Sequence, residues 1–125
     1  MAAGVMMRWL AVLAALTVAA PATAQEVSQA NAAVFRWLDK VSGVATDVEV
    51  PAGQEVTEGR LLISLRECRY PTEDPSSNAY AYLVVQDQLY PDSPVFEGWM
   101  IADSPALSAL DHSRYDLWLL RCVTP

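Results

Sequence analysis

The chain's 125 residues carry fifteen acidic side chains against eight basic ones. That imbalance repels phosphate backbones and anionic headgroups, and it argues against a nucleic-acid partner or a charge-driven membrane partner. One histidine and two cysteines 54 positions apart supply neither a CxxC redox motif nor a zinc set, so no cofactor and no metal are expected.

The opening stretch, MAAGVMMRWLAVLAALTVAAPATA, sets Arg8 before a twelve-residue apolar run, Trp9 to Ala20, and ends on the small triplet Ala22-Thr23-Ala24. This is the pattern of a secretory signal peptide over residues 1–24, with cleavage predicted between Ala24 and Gln25. The run falls short of the about 20 apolar residues that span a bilayer. No cysteine follows the cleavage point to take a lipid, so the mature chain is expected in the periplasm or secreted, without a membrane anchor. All fifteen acids follow residue 24, and only Arg8 of the eight bases precedes it, so the mature chain carries a net charge of −8. Its 101 residues suffice for a single core. In an exported chain, Cys68 and Cys122 read as one structural disulfide.

In chain order, residues 25–33 (QEVSQANAA) are polar and without a period, and are read as a flexible arm ahead of a single β-domain over 34–125. VFRWLDK (34–40) puts Phe35 and Trp37 on one face, and ATDVEV (45–50) does the same with Val48 and Val50. The Ser42-Gly43 turn signal between them predicts a hairpin. Pro51-Ala52-Gly53 marks another turn. GRLLISLRECRY (59–70) is the strongest strand, with Leu61, Ile63 and Leu65 on a common face. Cys68 falls on the opposite face unless a bulge near Glu67 resets the register. PTEDPSSN (71–78) is a loop, and AYAYLVVQDQL (79–89), VFEGWMIA (95–102) and YDLWLLRC (115–122) are strands. Between the last two, Ser104-Pro105 signals a helix start, the hydroxyl capping and Leu107 and Leu110 pointing into the core. About six short strands predict an all-β sandwich or partly open barrel, disulfide-linked, with one short helix before the last strand.

The blocks RWLDK (36–40), CRYPTEDP (68–75) and GWMIADSPALSALDHSRYDLWLLRC (98–122) resemble an alphaproteobacterial family of exported proteins known as a domain of unknown function. The likeness runs from about Val34 to Cys122. It implies a small secreted domain with a paired-cysteine framework and no established activity. Ser113 stands where the family's turn favours proline, and Asp103 where a small residue is commoner.

The chemistry to weigh centres on DHSRY (111–115). A Ser/His/Asp site needs one base bonded to both nucleophile and acid, with an oxyanion hole beside it. Asp111, His112 and Ser113 are chain neighbours whose side chains diverge, and Ser108 lies in no GxSxG elbow. No catalytic residue is assigned, and a hydrolase ranks third among the readings. Calcium at Glu73 and Asp74 lacks the acid spacing of a calcium loop. Strand aromatics usually pack in cores, but Trp99, after Gly98, is a candidate for an exposed ring that takes a glycan or small ligand. The leading reading is a non-catalytic accessory or adaptor module that binds another envelope protein through Trp99, Asp111, His112, Arg114 and Tyr115. On it, replacing Asp111 and His112 by alanine spares folding and weakens partner binding.

Overall fold

The computed structural model describes residues 17–19 and 24–125. Apart from 17–19 and Ala24, the predicted signal peptide lies outside the described residues. Among the described residues eight strands follow in chain order: β1 (Val27–Gln29), β2 (Ala32–Asp39), β3 (Ala45–Pro51), β4 (Glu55–Glu58), β5 (Leu61–Pro71), β6 (Tyr80–Asp87), β7 (Phe96–Ile101) and β8 (Tyr115–Val123). In the larger sheet β1 and β4 share one edge of β5, followed by β6 and β7; the smaller runs β3-β2-β8. Every pairing is antiparallel. Phe35 and Leu119 of the smaller sheet and Ile63, Leu65, Leu83 and Met100 of the larger are buried in one hydrophobic core. This is the all-β, disulfide-linked architecture that the alternation predicts, with eight strands instead of about six.

The hairpin of β2 and β3 forms as expected, closing between Leu38 and Ala45, with Gly43 at φ +76° in its turn. Residues 25–33, by contrast, are not a flexible arm. Val27, Ser28 and Gln29 pair with Pro71, Tyr70 and Arg69, the Ala30 amide donates to the Cys68 carbonyl, and β2 already begins at Ala32. A three-residue edge strand owes its place to ladder bonds more than to burial, so its side chains carry no apolar period. The same reason hides β4, whose Glu55-Val56-Thr57-Glu58 lies along Leu61–Ser64.

The bulge anticipated in β5 is present. Leu65 pairs with Leu83 and Glu67 with Tyr82, leaving Arg66 as the extra residue. Leu65 and Cys68, three apart, therefore both point inward. β8 repeats the device: Val34 pairs with Arg121 and Phe35 with Leu119, so Leu119 and Cys122 share the inner face. The two cysteines meet between the sheets with their Cα atoms 5.8 Å apart and form the disulfide. Closing a loop of sequence separation 54 stabilises the fold by about 4 kcal/mol through the unfolded chain.

The stretch before β8 departs from expectation. Only Pro105–Leu107 form a 3-10 turn, and Ser104 makes no side-chain capping bond. Leu110 is buried but Leu107 is 75 % exposed, because a turn this short cannot stack both side chains on one face.

Candidate functional site

The end of β2, the β4–β5 turn, the end of β6 and the start of β8 converge at one end of the sandwich. Alternation along β2 continues inward from Phe35 and Trp37 to Asp39, and along β6 from Leu83 and Val85 to Asp87; both carboxylates are buried. His112, on the loop entering β8, is bonded to Asp87 and not to its neighbour Asp111. Its Nε2 lies 2.8 Å from Asp87 Oδ2, while Nδ1 accepts the backbone amides of Arg114 at 3.0 Å and Tyr115 at 3.1 Å. Two donors on Nδ1 place the lone pair there and the proton on Nε2, which donates to the carboxylate.

Asp87 also accepts the Arg60 guanidinium at 2.9 Å and the Leu89 amide at 3.0 Å. Burial pushes its carboxyl toward the protonated form, but His112, the Leu89 amide and Arg60 outweigh this and hold its pKa at about 2. Asp39 is held at about 2 chiefly by Arg114, whose guanidinium nitrogens lie 3.1 and 3.4 Å away, with the amides of Val41 and Ser42 opposing the cost of desolvation. Lys40 Nζ donates to the His112 carbonyl at 2.7 Å. Tyr115 fills the middle: its ring packs 5.2 Å from Trp37 and from His112, with Arg60 and Arg114 within 5.7 and 5.5 Å of it. Its hydroxyl accepts the Arg60 amide.

The corner is thus a joint between the sheets. The His112 side chain is buried and Tyr115 is in the core, so neither offers the surface expected of it; only Asp111 is exposed, and Arg114 half-exposed. With both ring nitrogens engaged, His112 in this arrangement has none facing a hydroxyl whose proton it could take. Asp39 and Asp87 lie in no motif that marks them as site residues in the sequence. The signal that could find them is the two-residue period, which sets a carboxylate where an apolar residue belongs and so demands a buried partner. In the 71–78 loop, Asp74 accepts the Ser76 and Ser77 hydroxyls. Among the described residues, no group of three His, Cys, Asp or Glu side chains is placed to hold a metal ion.

Trp99 lies elsewhere, on the outer face of the larger sheet, where it is 37 % exposed. Tyr82 stands opposite it on β6 and meets its ring edge-on at 5.4 Å. The Arg69 guanidinium lies 5.2 Å over the indole and is itself 2.6 Å from Glu67. With Val27, Tyr80 and Ile101, Trp99 and Arg69 line a shallow apolar depression of about 300 Å³. Trp99 therefore stands apart from the DHSRY corner, and the two do not form the single surface expected from the sequence.

A family model described as an uncharacterised protein conserved in bacteria, DUF2155, matches residues 33–122. The chain belongs to the DUF2155 family. The match runs from the inward-facing Ala33 of β2 to Cys122, taking in both cysteines and the whole joint around His112. An uncharacterised protein of Rickettsia prowazekii (strain Madrid E), RP359, is 24 % identical over 87 residues, covering 68 % of this chain and 56 % of that protein. The chain thus spans little more than half the length of this curated relative. No solved structure matches.

Proposed function

We propose that this DUF2155 protein is an exported, non-catalytic accessory domain that binds another envelope protein through the outer face of its larger sheet, centred on Trp99. The observation that carries the reading is the exposed indole on an apolar depression, flanked by tyrosine and arginine, the residue types that most often anchor protein interfaces. The disulfide fits an oxidising compartment. No helix among the described residues is long and apolar enough to cross a membrane. The same exposed ring supports a second reading, a glycan or small-ligand module, although Arg69 already occupies part of the space over it.

The test is a photo-crosslinking residue installed in cells at Val27, beside the depression, with Glu49 on the smaller sheet as control. One defined protein adduct at position 27, absent at 49 and lost on Trp99→Ala while the melting temperature holds, is the expected result. Retention on insoluble peptidoglycan without a protein adduct moves the assignment to the glycan reading. A Trp99→Ala protein with an unchanged adduct overturns the site.

A further inference from the structure

The outer face of the larger sheet departs from what a sheet with one side in water requires. β6 alternates strictly, with Ala81, Leu83 and Val85 in the core, so Tyr80, Tyr82 and Val84 point outward. A solvated face calls for polar residues at such positions. Instead these three, with Trp99 opposite Tyr82 and Ile101 opposite Tyr80, make a partly exposed apolar floor that takes in the Trp99 depression. β6 is paired on both sides, to β5 and to β7, so its backbone groups are spent in the ladders and the floor presents side chains. A segment laid on it must bring its own backbone hydrogen bonds, because an apolar floor satisfies none. A helix does so within a single segment.

The floor is bounded by charge. Glu55 on β4, Ser64 on β5, Val84 on β6 and Glu97 on β7 stand in one row across the sheet. Both glutamates are exposed, and neither enters an ion pair among the described residues; Glu55 accepts the Ser64 hydroxyl at 3.3 Å. Glu67, nearer the middle of the face, is already paired with Arg69. Three strand spacings set Glu55 and Glu97 about 14 Å apart, and a helix with its side chains is about 10–12 Å across. A helix running along β6 therefore fits between them, with one shoulder toward each carboxylate. The same face of a second copy would set glutamate against glutamate in chains that are acidic overall, which repels. The complementary shoulders are basic.

We propose that the protein bound at the Trp99 face presents an amphipathic helix there, its apolar stripe on Tyr82, Val84 and Trp99 and a Lys or Arg on each shoulder facing Glu55 and Glu97. This rests on the Trp99 reading of the interface and names the chemistry of its occupant. In the test the photo-crosslinking residue is moved to position 64, between the two glutamates, and the partner peptide adducted there is identified by mass spectrometry and synthesised as the probe. Its sequence is expected to carry apolar residues at i, i+3, i+4 and i+7 with Lys or Arg on either side, and its helical circular dichroism to rise on binding. Its Kd should rise roughly tenfold in Glu55→Lys and in Glu97→Lys, and stay level in Glu49→Lys, at an exposed position of the smaller sheet. If Glu97→Lys does not fold, Glu97→Gln serves, with a rise of about threefold. The proposal is overturned if the peptide is acidic or uncharged, if it binds without gaining helix, if the adduct is a second copy of this chain, or if the Glu55 and Glu97 variants bind as wild type does. In that last case, loss of binding in Trp99→Ala leaves the interface itself standing. Absence of a protein adduct at both 27 and 64 removes the interface and the helix together.

Discussion

His112 shows how a residue that invites a catalytic reading can be fully employed in holding a loop. Removing its ring orphans the Arg114 and Tyr115 amides and strips Asp87 of one of its three partners. At about 1–3 kcal/mol for each buried group left unpaired, His112→Ala is expected to cost roughly 3 kcal/mol in a urea melt. Asp111→Ala, at an exposed position, should stay within about 0.5 kcal/mol of wild type. The pair reverses the expectation that both substitutions spare folding, and equal melts for the two would contradict the joint described above. Gly59 supports the same packing from below. It sits at φ +56°, and a Cβ there would fall 2.7 Å from Trp37 Cζ2 and 2.9 Å from the Tyr115 hydroxyl. Gly59→Ala adds backbone strain to overpacking, so a loss of about 2–4 kcal/mol is expected in the same assay.

At the scale of elements, the two bulges decide whether the disulfide exists. Without its extra residue each strand would turn its cysteine to the other face, since side chains alternate with period two. Deleting Arg66 should leave Cys68 and Cys122 as alkylatable thiols in folded protein, whereas Arg66→Ala keeps the count of residues and should keep the bond; mass spectrometry after alkylation reads both. What was legible in the sequence follows the same logic. Strands with strong alternation, such as 34–40, 45–50 and 79–89, declare themselves because burial imposes the period. Both cysteines were legible as a pair, and Trp99 as an exposed ring. The bulge at Arg66 could be suspected from Cys68 but not decided, because it depends on which residues of β6 lie opposite. β1 and β4 were not legible at all, being held by ladder bonds that leave no mark on side-chain pattern. The partner of His112 was hidden for a third reason: Asp87 lies 25 residues away, at the end of a strand that no local pattern sets beside the DHSRY turn.

Across the whole molecule, the pH response follows from the two buried carboxylates. Asp39 and Asp87 have folded pKa values of about 2, against about 3.9 for an aspartate in an unfolded chain. Each binds its proton more weakly when folded, so protonation draws the equilibrium toward the unfolded state. Their contribution is fully present above about pH 4 and is lost as pH falls toward 2. Urea midpoints should therefore hold between pH 7 and 5 and fall below pH 4, with a shallower fall in Asp39→Asn. A midpoint that stays level down to pH 2 would show that the Arg114 and Arg60 pairs contribute nothing to folding. The joint these acids build lies at the Tyr115 end of β8, and the disulfide at its Cys122 end. One fastening is released by acid and the other only by a reductant, and neither reagent acts on both. A molecule opened by acid alone is therefore still hinged through Cys68 and Cys122. Its two sheets remain within reach of one another, so that on neutralisation reclosure is an intramolecular search and not a fresh encounter.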